Sequence, residues 1–313
     1  MKSSKQTTLR AQAVLTGVGV HSGKPVRIVL HPADANHGVV FLRTGMPGGN
    51  DRLIEARHVT VSATELCTIV GEQSTGSVAT IEHLMSALSG LGIDNLLVEI
   101  DGPEVPILDG SAAPFVDAIQ QAGIATLAAP RRYLKVLRPV RVQQGAAFCE
   151  LNPFDKGFRL DVEIDFETPL IGRQRKVIDL EPTVYKREVA RARTFGFMRD
   201  VERLWQAGLA LGASLDNTVA IGEDSVVNPE GLRFPDEFVR HKLLDAVGDL
   251  ALAGAPILGE YRSYRGGHRM NVAIVEALFA DRANYAYVEA GARRELGHAE
   301  IGAALPAFAA DTH

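Results

Sequence analysis

His241, Asp245 and Asp249 stand at i, i+4 and i+8 within the segment Glu237–Ala253. On a helix that spacing lines the three side chains along one face. An imidazole nitrogen and a carboxylate oxygen four residues apart on a rigid helix reach a single metal ion, as the two histidines of HExxH do. Thr80-Ile81-Glu82-His83 adds a second pair. A Glu beside a metal-bound His is placed to act as general base toward water. His83, His241 and Asp245 together supply three N/O ligands and leave a fourth position for water, the pattern of a catalytic zinc rather than a structural one. Glu82 and His268, the latter in Tyr264-Arg265-Gly266-Gly267-His268, are then the two titratable groups of amide hydrolysis. One takes a proton from water and the other gives one to the leaving amine. Asp249 is placed to hold a neighbouring imidazole in one tautomer.

Taken singly, each group has a plainer reading. His241, Asp245 and Asp249 form the solvated polar face of a surface helix. Glu82-His83 reads as a surface pair and His268 as an ordinary loop histidine. Thr194, in Ala192-Arg193-Thr194-Phe195-Gly196-Phe197, offers a hydroxyl to a developing oxyanion between aromatic walls. The two Phe also suit the buried face of a strand. Gly17-Val18-Gly19-Val20-His21-Ser22-Gly23-Lys24-Pro25 fails as a phosphate loop, because Val18 replaces the first Gly and Pro25 the Ser/Thr. It reads as a tight hairpin that brings His21 near another element.

The elements that must position these groups fall into two similar series. Val26–Leu30, Val39–Leu42, Leu66–Val70 and Asn95–Ile100 are predicted strands. Ser77–Leu91 is a predicted helix whose apolar residues fall at steps of three and four, with Gly90 and Gly92 at its end. Pro114–Ala122 is a second helix. Ala128–Arg132 reads as a linker. Strands are then predicted at Tyr133–Val142, Phe148–Leu151 and Arg159–Phe166, helices at Glu237–Ala253 and Met270–Phe279, and a late strand at Tyr285–Val288. Strands followed by helices, twice over, give an α+β class with a sheet layer packed on a helix layer in each of two domains. The expected division is 1–127, 131–300 and a tail, 301–313.

Composition bounds the chemistry. The 313 residues carry 33 Lys+Arg against 38 Asp+Glu, a net charge of −5, which argues against a nucleic-acid partner. Hydrophobic residues are 46% and charged residues 23%, the mix of a globular protein. Two cysteines, Cys67 and Cys149, exclude a four-thiolate zinc site and suit a reducing compartment. No apolar run approaches the ~20 residues of a membrane span, and the N-terminus has no secretory signal pattern. The expectation is a cytoplasmic protein without stable membrane insertion.

Six segments carry a resemblance: Ser77–Leu84, Gly90–Asn95, Ile107–Phe115, Ala192–Asp200, Glu237–Asp245 and Gly266–His268. In content and order they resemble the UDP-3-O-acyl-N-acetylglucosamine deacetylase family, from about Thr8 to Tyr285–Val288. The resemblance implies the committed step of lipid A synthesis in Gram-negative bacteria: hydrolysis of the N-acetyl group of UDP-3-O-(3-hydroxyacyl)-N-acetylglucosamine to UDP-3-O-(3-hydroxyacyl)-glucosamine and acetate. It implies a zinc metalloamidase with the site between two α+β domains and the acylated UDP-sugar as partner. His83, His241 and Asp245 match the metal ligands; the donor set also suits Fe2+. Glu82 matches the general base, His268 the second acid–base residue, Asp249 its carboxylate partner and Thr194 the hydroxyl near the oxyanion. Phe195, Lys242, Leu66, Cys67 and His21 match positions around the substrate. Arg265 stands where some members have Lys, which carries over the charge but not the geometry. Leu204–Ile221 falls where the family forms an apolar passage for the acyl chain. A monomer is expected.

Overall fold

The computed structural model describes residues 4–46, 49–72 and 74–290. The expected tail, 301–313, and residues 291–300 of the second expected domain lie outside the described residues.

Two sheets carry the molecule. The first has five strands in the order Ala13–Val18, Pro25–Pro32, Leu96–Ile100, Val39–Arg43 and Arg52–Glu55. Its central strand Leu96–Ile100 buries alternate residues, so the period of two sets one face inward. The second sheet runs Val140–Gln144, Ala147–Asn152, Ile257–Tyr264, Arg132–Val136 and Tyr285–Glu289, and Phe158–Asp165 extends it beside Ile257–Tyr264 with Arg173–Asp179 outermost. Among the described residues there are six α-helices: α1 (Glu82–Leu91), α2 (Ala113–Ala122), α3 (Pro182–Glu188), α4 (Val201–Gln206), α5 (Glu237–Leu250) and α6 (His268–Ala280). The mixture of sheets and helices is the expected α+β class.

α1 and α5 pack on each other between the two halves of the chain, and α6 lies beside α5 on the second sheet. The crossing of α1 and α5 is close because Gly248 has no side chain. A Cβ there would stand 2.0 Å from the Glu82 carbonyl oxygen. α5 ends in a turn at Ala251–Ala253, and Gly254 takes the left-handed φ of 76° that closes such a helix.

Four sequence expectations change. The helix predicted from Ser77 starts at Glu82 instead, because Gly76–Val78 is strand and Thr80 has φ 56°. Thr80 is held there by its hydroxyl, which donates to Glu104 at 2.8 Å. The strand predicted from Leu66 starts at Ile69, since Leu66 turns the chain at φ 65°. The strand predicted over Tyr133–Val142 is two, Arg132–Val136 and Val140–Gln144. The predicted linker at Ala128–Arg132 is strand too: Ile124–Pro130 pairs antiparallel with Lys5–Leu9. Arg131 pins it, with Nε 2.9 Å from Asp94 Oδ1 and Nη2 donating to the Gly92 carbonyl.

Candidate active site

The polar row of α5 is not solvated. His241, Asp245 and Asp249 are 2%, 2% and 1% exposed, and Glu82 and His83 on α1 are 3% and 4%. The plainer reading of both groups fails for one reason: α1 and α5 cover each other's polar residues. Burying carboxylates and imidazoles without pairing is costly, so this interface has to be satisfied by its own chemistry.

His83, His241 and Asp245 come together across it. The Asp245 Oδ1 atom is 3.2 Å from His241 Nε2 and 3.7 Å from His83 Nε2, and the two rings stand edge to face with centroids 5.0 Å apart. One donor atom from each lies within 4.8 Å of the others. His241 Nδ1 lies 3.1 Å from the Ala192 carbonyl oxygen. A carbonyl only accepts, so Nδ1 carries the proton and Nε2 keeps its lone pair for the cluster. Lys242 Nζ donates to Asp245 Oδ2 at 2.8 Å, which leaves Oδ1 turned to the histidines. Asp245 Oδ1 and His83 Nδ1 are buried without a hydrogen-bond partner. Lone pairs converging on one point, with an orphaned buried oxygen among them, fit a divalent cation. Burial pushes the Asp245 carboxyl up, but His241 and Lys242 outweigh it and hold the group well below its usual range. Burial, with His241 beside it, lowers the His83 imidazole to about 3. The carboxylate and neutral imidazole are the forms that ligate.

A second set of titratable groups borders the first. His268 is the first residue of α6. Its Nδ1 lies 2.9 Å from Asp249 Oδ2, and its Nε2 faces Glu82 Oε1 at 3.9 Å. The Thr68 amide donates to Glu82 Oε2 at 3.1 Å, so Oε1 is the free oxygen. Burial pushes the Glu82 carboxyl up to about 7, against the pull of His268 and with the push of Asp249 and Asp245. Burial would lower His268, but Asp249 and Glu82 outweigh it and raise the imidazole to about 9. Around neutrality Glu82 can therefore accept a proton while His268 holds one, opposite roles set by environment.

A scan against family models matches residues 6–280 to UDP-3-O-acyl N-acetylglycosamine deacetylase. The chain belongs to this family. Relatives named UDP-3-O-acyl-N-acetylglucosamine deacetylase from Brucella ovis, Brucella canis and Brucella melitensis biotype 2 are each 53% identical over 287 residues, covering 91% of this chain and 99% of theirs. The family resemblance seen in the sequence motifs is thereby shown over nearly the whole chain.

Of the remaining residues matched to the deacetylase motifs, Phe195 and Lys242 stand beside the cluster. The Phe195 ring stands edge-on to His241 at 6.2 Å and to Phe238 at 5.0 Å, with Lys242 Nζ 5.7 Å from its centroid. Thr194 is fixed through its backbone: its N–H donates to Gly110 and its carbonyl accepts from Val219. Arg265, at φ 53°, lines a cavity with Phe166, Phe197 and Arg199. Leu66 is exposed, and Cys67 is buried behind it. Burial and Glu82 push the Cys67 thiol up to about 12, so it is no nucleophile. The His21 and Ser22 amides donate to Glu104, while His21 Nδ1 accepts from the Ala210 amide at 3.4 Å. Burial lowers its pKa, and His268 is close enough to add to that. Of the segment Leu204–Ile221, Trp205, Leu211 and Leu215 are exposed, whereas Val219 and Ile221 are buried in a short strand.

Three residues of the site were missed in the sequence. Thr68 binds both Glu82, through its amide, and Asp249, to which its hydroxyl donates at 2.6 Å. Nothing local marks it. Glu104 joins Thr80 to the His21 turn and carries no motif of its own. Asn271 donates to Asp249 at 2.8 Å. Its place three residues after His268, on the same helical face, was a usable signal.

Proposed function

We propose that the protein hydrolyses the N-acetyl group of UDP-3-O-(3-hydroxyacyl)-N-acetylglucosamine, releasing acetate and the free amine, as the committed step of lipid A synthesis. The observation that carries this is the buried, unpartnered Asp245 Oδ1 between two imidazoles, bordered by a carboxylate and an imidazole with opposed proton affinities. His83, His241 and Asp245 hold the metal, zinc in this reading; ferrous iron suits the same donors. When bound, a divalent cation there supplies Lewis-acid polarisation of the acetamide carbonyl and makes a nearby water more acidic.

Glu82 takes the proton from the attacking water at Oε1, the oxygen not engaged by Thr68. The Thr194 hydroxyl donates to the oxygen on which negative charge develops. His268, held through Nδ1 by Asp249, gives its Nε2 proton to the departing amine. That proton and the one on Glu82 balance the conversion of amide and water into amine and acid. Lys242, Phe195 and Arg265 hold the nucleotide sugar, and Leu66, Cys67 and His21 border its entrance. With a net charge of −5, an anionic substrate is met by these local cations and not drawn by the overall field.

The reading includes a site between residues 1–127 and 131–300, a monomer, a cytoplasmic location and no nucleic-acid partner. Among the described residues no helix is long and apolar enough to cross a membrane. Glu82→Ala tests the assignment: the variant keeps its metal and loses about 100-fold or more in turnover. Near-normal turnover would remove Glu82 from its role.

A further inference from the structure

Behind His268 a row of buried polar side chains runs into the second sheet. Asp249 Oδ2 accepts from His268 Nδ1 at 2.9 Å and from Asn271 Nδ2 at 2.8 Å, while Oδ1 accepts from Thr68 at 2.6 Å. Asn271 Oδ1 accepts from the Tyr261 hydroxyl at 2.5 Å. The Tyr261 oxygen lies 3.0 Å from Cys149 Sγ. Asp249, Asn271 and Cys149 are all nearly inaccessible, and Tyr261 is fully buried. None of Asn271, Tyr261 and Cys149 has a part in the reaction as derived above.

The donors and acceptors admit one consistent direction. Asp249 accepts from His268 and Thr68, and Asn271 presents its NH2 to the same carboxylate. The amide oxygen then points at Tyr261 and requires a donor, which the hydroxyl supplies. The tyrosine oxygen is left to accept, and Cys149 has a proton to give because burial pushes its thiol up to about 11. Ser263 also approaches that oxygen. If the tyrosine hydroxyl is removed, the amide keeps its bond to Asp249 but its oxygen loses the Tyr261 donor, so only one end of Asn271 stays fixed and its hold on the carboxylate loosens.

We propose that Asn271 and Tyr261 are positioning residues that act through Asp249 to keep the proton of His268 on Nδ1 and its Nε2 aimed at the reacting atoms. This rests on the reading of His268 as the acid toward the leaving amine. Outer partners of this kind change activity by about 10–100-fold when removed.

The test uses the metal-loaded protein with 15N-labelled histidine. The His268 Nδ1–H resonance is identified by its loss in His268→Ala. Tyr261→Phe removes a single oxygen and preserves the ring, so it keeps the test informative even where Asn271→Ala fails to fold. Both variants are expected to shift or broaden the His268 Nδ1–H signal and to lower kcat by about tenfold or more, with KM unchanged. A wild-type signal in folded Tyr261→Phe overturns the proposal, whether kcat falls or not, because a fall without a change at His268 is a general packing effect. Failure of the functional reading looks different: His268→Ala would then release acetate normally, whatever the resonance does in the other variants.

Discussion

His241 Nε2 lies 3.2 Å from Asp245 Oδ1, one turn further along α5, and that oxygen accepts no hydrogen bond. The pair is incomplete as a protein interaction and complete as two corners of a metal site. Adding zinc at 100 times its dissociation constant should stabilise the folded chain by about 2.7 kcal/mol, read as a rise in Tm. His241→Ala should abolish that rise and the stoichiometric metal in atomic absorption. An unchanged metal content would take His241 out of the ligand set.

The two acid–base groups predict a bell-shaped dependence of kcat/KM on pH. Activity needs Glu82 ionised, so it rises through the Glu82 pKa of about 7. It also needs His268 protonated, so it falls through about 9. A bound cation favours the carboxylate and disfavours the imidazolium, which moves both limbs toward lower pH. His268→Ala should flatten the basic limb and, because it removes the pull of His268 on Glu82, move the acidic limb to higher pH. A basic limb that persists unchanged in His268→Ala would assign it to another group.

Gly248→Ala asks whether the close crossing of α1 and α5 builds the site. The added carbon meets the Glu82 carbonyl, which is backbone and cannot swing aside. The expected cost is about 1–3 kcal/mol in urea unfolding. A weaker grip on the metal should accompany it, since His83 is separated from His241 and Asp245. Wild-type metal affinity in this variant would show that the ligands tolerate the shift.

Arg193 and Glu237 form a buried ion pair, Nε to Oε1 at 2.9 Å, and the same carboxylate accepts the Arg193 amide. It ties the segment Ala192–Phe195 to the first turn of α5. Glu237→Ala leaves the guanidinium buried with one acid fewer, a loss of about 3–5 kcal/mol. Urea midpoints measure it, and a change under 1 kcal/mol would mean Glu230 and the Gly231 carbonyl, also bonded to Arg193, suffice for it.

Much of this was legible in the chain. The i, i+4, i+8 row of α5 and the Glu82-His83 pair could be picked out because helical period alone determines which side chains share a face. Their burial could not. A polar row looks solvated until the helix that covers it is known, and α1 comes from the other half of the chain. The start of α1 was misplaced for a related reason: Thr80 leaves helical backbone under the hold of Glu104, a contact that no local propensity encodes. His268 and its carboxylate partner Asp249 were legible through the family resemblance, while spacing alone left the imidazole beside Asp249 unnamed, because the contact depends on how strand Ile257–Tyr264 returns the chain to α6. Tyr261 becomes visible only once that return is drawn, whereas Asn271 stands on the helical face that His268 already marks.

The most direct test of the whole account measures metal content and acetate release together on the acylated UDP-N-acetylglucosamine. One metal ion per chain, acetate release that stops with a chelator and returns with zinc, is the predicted result. Full acetate release from metal-free protein would contradict it.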